Sequence, residues 1–385
     1  MAGKRIMTLF SLINQEKNLK LLKNIIANER TANAYIFYGP EGSGAEGFAL
    51  EFAAMLNCIS KNDLPCGNCP SCRKIKHLEH SNLELVFPIP VRKDNSADSD
   101  PFKGFSAAEM ENIQEIIHNK SQNPYEKIAI PNAKHIPINF IRETKRKTYL
   151  RSQEPGWKVI VIFDAHLLTE PAANAFLKIL EEPPEKSTFI LTTSNINAIL
   201  PTIASRCQPI YFPPLSPAVL KEFLLSKNIP ENQTQLIIRL SGGDVSQALN
   251  FIETDLNQIK DLTLDILRAI AVWNIEKIYK YVEKLADLYR KDSAQFKQIM
   301  LSIAFWFRDA IIIKEQLDDS ELIHSELINE IRKFADAFPD FDPYSASSSV
   351  ENCIDFINRN VYINLALLNM FFNLHHALNS GKKNK

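Results

Sequence analysis

Four of the six cysteines in this 385-residue chain lie within fifteen residues, with the spacing C-x7-C-x2-C-x2-C. They are Cys58, Cys66, Cys69 and Cys72. Gly67 and Pro70 are typical of tight turns that aim several sulfurs at one point. Four thiolates suit tetrahedral zinc, and four protein ligands close a site to substrate, so the spacing predicts a structural zinc site. An iron–sulfur cluster is the alternative, but the ferredoxin run needs a fourth cysteine downstream.

A second candidate site is the glycine-rich turn "GPEGSGAEGF" at residues 39–48, which follows the apolar run "AYIFY". Phosphate-binding loops read G-x-x-x-x-G-K-[ST]. Gly39 and Gly44 have this spacing, but Ala45 stands at the lysine position and Glu46 at the hydroxyl position. A carboxylate ~4 Å from a phosphate charge costs roughly 4 kcal/mol at an effective dielectric of about 20. The loop therefore predicts a degenerate nucleotide site at which ATP does not bind productively.

The stretch "KVIVIFDAHLLT" contains the acidic half of such a site. When His166 is aligned with the histidine of a D-E-x-H pattern, Phe163 replaces the aspartate that would hold the metal ion. Asp164 then replaces the glutamate that would polarise water. Both halves of the metal–phosphate site are altered in the same chain. The alternative, that the turn was never a phosphate loop, leaves a glycine-rich turn and a strand-end acid in the correct order without an explanation.

A parallel sheet covered by helices would position these groups, because short β-rich runs alternate with helical patterns in the first half of the chain. The predicted strands are 34–39, 83–88, 158–165, 187–194 and 209–214. A helix is predicted at "TEPAANAFLKILEE", with Thr169 as its N-cap and an end enforced by Pro183 and Pro184.

The remaining segments have other patterns. Residues 91–136 are polar and turn-rich, which favours a surface insertion with one short helix, "AAEMENIQEIIHNK". After Pro214 the pattern is helical, and the last helical pattern is apolar around much of its circumference, which is typical of a bundle or an interface.

The composition excludes some classes of protein. A formal net charge of -1 provides no global field that would recruit nucleic acid, which disfavours a zinc-dependent nucleic-acid-binding module. We read no signal peptide, and no apolar run reaches the length of a membrane span. We therefore expect a cytoplasmic protein without membrane contact, in which cysteines serve as thiols or metal ligands rather than disulfides.

The segment "NAFLKILEEPPEKSTFILTTSNINAILPTIASRC" resembles the most diagnostic stretch of bacterial replicative clamp-loader subunits. These are AAA+ proteins that open the sliding clamp and load it onto primed DNA. Residues 177–184 match the L-K-x-L-E-E-P-P motif, and Ser205, Arg206 and Cys207 match the S-R-C motif. The cysteine cluster matches the zinc module of the same family.

The resemblance implies a fold class of α/β AAA+ type: a parallel sheet with flanking helices and a zinc module, a small helical lid and an all-α C-terminal collar. The expected ranges are 1–214 for the AAA+ domain, with the zinc module at 58–72 and the insertion at about 91–136. The lid is expected at 215–255 and the collar at 256–385. The insertion is not part of the family pattern.

The resemblance also implies roles for individual residues. Arg206 would act as an arginine finger in trans, reaching the nucleotide of a neighbouring subunit. Motor subunits keep the loop lysine and the Asp–Glu pair, and they carry a nucleotide-sensing arginine where Ser246 stands here. The departures imply a subunit without intrinsic ATPase activity. Its partners would be gamma/tau motor subunits and a delta subunit, and, through the complex, the sliding clamp and primed DNA. The alternative is a catalytically active ATPase subunit of the gamma/tau type.

Overall fold

A parallel five-stranded sheet forms the centre of the first half of the chain. The computed structural model describes residues 8–13, 15–60, 64–92, 96–151, 154–319, 322–324, 327–359 and 361–380. The strands are β1 (Ala34–Tyr38), β2 (Leu83–Val86), β3 (Lys158–Ile162), β4 (Ser187–Thr193) and β5 (Gln208–Tyr211). Their order across the sheet is β2-β3-β4-β1-β5, and every neighbouring pair is parallel.

The central strands of the sheet are buried on both faces. All seven residues of β4 are buried, as a central strand covered by helices requires. The predicted α/β class with a parallel sheet is therefore confirmed. Each strand ends one to three residues before its predicted end, because the chain turns into a loop at the carboxyl edge. Gly39, Gly44 and Asp164 of the predicted nucleotide site lie in these loops.

Seven helices accompany the sheet in the described part of the chain. They are α1 (Glu16–Ala27), α2 (Ala45–Asn57), α3 (Pro70–Lys76), α4 (Ala107–Gln122), α5 (Ile138–Tyr149), α6 (Glu170–Glu181) and α7 (Pro201–Ala204). The predicted N-cap of α6 is confirmed, since Thr169 Oγ1 accepts the N–H of Ala172 at 3.3 Å. The sequence patterns did not locate α1, α3 and α5.

The segment 91–136 differs from the predicted surface insertion. Its helix α4 is present, with a capping box formed by Ser106 and Glu109. The prediction of a surface location is wrong beyond that helix's exposed first turns, because Lys120 and Tyr125 are buried. Within the described residues 96–136, the chain therefore contributes to the packed interior and not only to the surface.

The described part of the chain after β5 contains nine helices and no strand. They are α8 (Pro217–Ser226), α9 (Glu231–Ser241), α10 (Val245–Glu253), α11 (Leu256–Ala271), α12 (Ile275–Lys291), α13 (Ser293–Lys314), α14 (Ile328–Ala337), α15 (Pro343–Asn358) and α16 (Ile363–Leu378). The predicted all-α C-terminal region is thus confirmed. None of the described helices is both long and apolar enough to cross a membrane.

The chain divides into two compact units. One comprises Met1–Phe223 with Gly243–Ser246, and the other comprises Leu224–Gly242 with Gln247–Lys385. The predicted division into a lid at 215–255 and a collar at 256–385 stays a prediction.

Candidate functional site

The glycine-rich loop joins β1 to α2, as a phosphate-binding loop would. Gly44 is the N-cap of α2 and has φ 92°, a left-handed conformation that disfavours other residues. A Cβ added to Gly39 would lie 2.0 Å from the carbonyl oxygen of Phe212, so the backbones approach too closely for a side chain. At Gly42 an added Cβ would lie 1.7 Å from Asp244 Oδ1. The loop is therefore tightly packed, with a carboxylate against it.

Glu46, in the first turn of α2, does not point an unpaired charge at a phosphate position. Its carboxylate forms an ion pair with Lys120. The Lys120 side chain is 0% exposed, and its Nζ also donates to the carbonyl oxygens of Pro124 at 2.9 Å and Glu126 at 2.6 Å. The predicted repulsion treated Glu46 as unpaired, and this assumption is wrong because Lys120 compensates its charge.

The two residues of the altered acidic motif, Phe163 and Asp164, lie near Lys120 and a second lysine, Lys127. Lys120 Nζ lies 5.4 Å from the centre of the Phe163 ring, a cation–π distance. Asp164 adopts φ 48°, and its Oδ1 lies 3.7 Å from Lys127 Nζ. Lys127 Nζ also donates to Glu41 Oε1 at 2.7 Å. The structure therefore brings the loop, Phe163 and Asp164 together around Lys120 and Lys127.

The electrostatics of this cluster favour charged lysine. Burial lowers the pKa of Lys127, but the carboxylates of Asp164, Glu41 and Glu46 outweigh this effect and raise the pKa above its ordinary value. Burial lowers the pKa of His166, which lies 3.0 Å from Thr193 Oγ1 through its Nδ1. Lys127 thus remains cationic beside its two carboxylates at neutral pH.

Sequence reasoning missed Lys120 and Lys127. They lie 74 residues beyond Glu46 and 86 residues beyond Glu41, respectively, so no local spacing relates them to the loop. The available signal was two lysines in a segment assigned to the surface. Nothing in the segment "NKSQNPYEK" predicts that Lys120 is buried or which residue it pairs with.

The four clustered cysteines converge in the structure as their spacing predicts. Their sulfurs all lie within 4.8 Å of one another, and Cys66 Sγ is 4.0 Å from Cys72 Sγ. A tetrahedral ion with Zn–S bonds of about 2.3 Å separates its sulfurs by about 3.8 Å. Cys58 follows the end of α2, and Cys69 is the N-cap of α3. The cluster could therefore hold a metal ion with four sulfur ligands.

Backbone N–H groups support the sulfurs as a metal site requires. The N–H of Cys69 donates to Cys66 Sγ at 3.3 Å, and the N–H of Cys66 donates to Cys58 Sγ at 3.3 Å. Hydrogen bonds from the Ser60 side chain and from backbone N–H groups lower the pKa of Cys66 to about 6. Burial raises the pKa of Cys72. A cation among the sulfurs would favour the thiolate at each position.

The S-R-C motif lies between α7 and β5. The Arg206 guanidinium donates to the carbonyl oxygen of Thr202 at 3.0 Å and to Glu181 Oε1 at 3.3 Å. The Arg206 side chain is 41% exposed. Ser205 Oγ donates to the same Thr202 carbonyl at 3.2 Å. Cys207 is buried, and burial raises its pKa to about 12, so this thiol packs in the interior. Of the three residues, Arg206 alone offers an accessible charge.

Comparison with known proteins gives a consistent set of similarities. Residues 14–216 match a protein family described as "DNA polymerase III, delta subunit". DNA polymerase III subunit delta' of Bacillus subtilis (strain 168) is 24% identical over 323 residues, which cover 83% of this chain and 84% of the relative. DNA polymerase III subunit tau of the same organism is 26% identical over 327 residues, covering 79% of this chain and 50% of the relative.

The chain is also similar to solved structures. One of them is a DNA polymerase III gamma subunit-related protein from Thermotoga maritima, with a TM-score of 0.37 and 17% identity over 94% of this chain and 99% of that chain.

Proposed function

This chain belongs to the DNA polymerase III delta subunit family and is a clamp-loader subunit, and we propose that it is of the delta-prime type. In this proposal it does not hydrolyse ATP. It assembles in the cytoplasm with gamma/tau motor subunits and a delta subunit. The complex then loads the sliding clamp onto primed DNA.

One observation carries the choice of the non-hydrolysing type. The position of the loop lysine holds Ala45, and the adjacent Glu46 is engaged by Lys120 from the same chain. An active site needs a cation for the phosphates and a carboxylate for Mg²⁺ at these positions. Phe163 provides no carboxylate, and Asp164 lies beside Lys127. The likeness to tau keeps the active gamma/tau type as the second candidate.

We expect the isolated chain to show no binding of Mg·ATP with a dissociation constant in the micromolar range. The physical reason is that Ala45 supplies no cation for the phosphates and Phe163 supplies no carboxylate for Mg²⁺. Isothermal titration calorimetry checks this, with Ala45→Lys as a comparison. That variant should also fail to hydrolyse ATP, because Phe163 still lacks a carboxylate. Micromolar binding together with turnover by the unmodified chain would favour the gamma/tau type instead.

We propose that the cysteine cluster holds one structural zinc ion. Four sulfur ligands leave no open position, so the ion would stabilise the chain locally and take no part in ATP chemistry. The ligands are Cys58, Cys66, Cys69 and Cys72.

We also propose that the C-terminal helices form the surface for assembly. On α16 the side chains of Leu365, Leu368 and Phe372 share one face at helical spacing and are 60%, 38% and 57% exposed. Apolar side chains that are aligned on one exposed face are typical of protein–protein contacts.

Replacing Leu365 and Phe372 together by aspartate should leave the chain folded, since both side chains are exposed. It should weaken assembly, because carboxylates placed in an apolar interface lose hydration. Co-purification with the motor and delta subunits is the measurement. Leu317→Asp, at a leucine that is 57% exposed outside α16, is the matched control. Undiminished assembly of the double variant would exclude this face.

A further inference from the structure

The segment 118–127 lies against the glycine-rich loop through three kinds of contact. The first is the ion pair between Lys120 and Glu46, in which the lysine is fully buried. A buried lysine is costly unless its charge is paired and its protons are accepted. Here the Lys120 ammonium donates hydrogen bonds to the Glu46 carboxylate and to the carbonyl oxygens of Pro124 and Glu126. Lys120 is therefore a buried ammonium group whose hydrogen bonds are all made within the chain, and not an incidental surface contact.

The second contact is made by Lys127, which joins the two separate parts of the degenerate site. Its Nζ lies 2.7 Å from Glu41 Oε1 in the loop and 3.7 Å from Asp164 Oδ1 after β3. Without a cation here, these carboxylates would repel each other. A single lysine from outside both motifs thus contacts a carboxylate of each motif.

The third contact is apolar and covers the first turn of α2. A Cβ added to Gly44 would lie 3.3 Å from Tyr125 Cε1, and one added to Gly47 would lie 3.1 Å from Pro124 Cβ. The Tyr125 hydroxyl accepts the N–H of Ile13 at 2.7 Å, which fixes the ring in place. The N-terminus of α2, where a phosphate would bind, is therefore packed against protein.

We propose that residues 118–127 replace bound nucleotide as the element that holds the glycine-rich loop in its conformation. This inference deepens the proposed function and rests on it. Lys120 and Lys127 are positioning residues that provide the positive charge, and Tyr125 and Pro124 provide the cover. In an active phosphate loop the ligand and its metal ion bring charge balance from outside. In this chain Lys120 and Lys127 supply positive charge from within the protein, so the loop keeps one conformation whether ATP is present or absent.

The test uses the full chain and amide hydrogen exchange of residues 39–48. Lys127→Met should fold, because its side chain is partly exposed, and it should raise the exchange rate of the loop amides by about tenfold or more. Lys120→Met should raise it further and lower the melting temperature by on the order of 10 °C, since it removes the ion-pair partner of the mostly buried Glu46 carboxylate. Lys103→Met, at an exposed lysine outside the segment 118–127, is the matched control and should change neither.

A double variant separates this role from a general loss of stability. Glu46→Gln combined with Lys120→Met removes both charges, so it should recover part of the melting temperature lost in Lys120→Met. ATP added to the unmodified chain should leave loop exchange unchanged. If Lys120→Met and Lys127→Met exchange like the control while ATP still does not bind, this inference is wrong and the proposed function stands. If ATP binds to the unmodified chain and slows loop exchange, both are wrong.

Discussion

Arg206→Ala should lower ATP hydrolysis at the adjoining motor site by about 10³–10⁵-fold where that site is measured alone. An arginine finger supplies a permanent, planar charge that stabilises the phosphoryl-transfer transition state. The total activity of the complex should fall less, because any motor site that does not adjoin Arg206 would be unaffected. The measurement is DNA- and clamp-stimulated ATP hydrolysis and clamp loading by complexes rebuilt with the variant.

The contacts of Arg206 indicate that this variant should fold. Its ion pair with Glu181 joins side chains that are 41% and 54% exposed, and such surface pairs contribute about 0–1 kcal/mol to stability. Its second bond, to the Thr202 carbonyl, is also exposed. Loss of the guanidinium should therefore leave unfolding and assembly nearly unchanged. A loss of ATP hydrolysis can then be read as a loss of function in trans.

Two further variants make the test of Arg206 specific. Arg206→Lys should fail as well, because an ammonium on a flexible stem does not reproduce the planar fork of a guanidinium. Arg146→Ala, at an arginine that is 72% exposed, is the matched control and should retain full activity. Full activity of every motor site with Arg206→Ala would leave the chain with no role in trans.

The parts of the fold that could be predicted from sequence are those governed by local pattern. The strands β1, β3 and β4 are visible because they are buried on both faces and bounded by turn residues. The start of α6 is visible because Thr169 caps it and Pro171 occupies its first turn. The glycine positions follow from backbone geometry, as the left-handed φ of Gly44 illustrates. Each of these features is determined within a few residues of chain.

The parts that could not be predicted depend on contacts between distant segments. The sequence placed Glu46 at the head of α2 but gave no sign that Lys120 would reach it from another helix. The same holds for Lys127, which contacts Glu41 and Asp164 from a segment with no recognisable motif. A charge that appears unpaired in a motif is therefore not evidence of an open site, since tertiary packing decides its partner.

The cysteine cluster is the one candidate site for which local spacing was sufficient. Three of its four sulfurs come from the short stretch "CGNCPSC", and Cys58 is delivered by the end of α2. Because α3 has only seven residues, it has little stability as an isolated helix. A metal ion that joins Cys69 and Cys72 of α3 to Cys58 would hold these elements together. Metal binding would then contribute to the folding of the stretch from Cys58 to the end of α3.

Metal analysis of the purified chain should find one zinc ion, and Cys69→Ser should abolish it. Structural zinc binds zinc-finger peptides with about 10–16 kcal/mol at pH 7, so loss of one thiolate ligand should have a large effect on occupancy. We expect Cys69→Ser and chelator treatment to speed proteolysis between α2 and β2. Cys353→Ser removes another buried thiol and should keep the zinc. A chain without zinc, or one with iron and a visible chromophore, would contradict this assignment. Zinc loss without faster cleavage would show that α3 holds its place through its own packing.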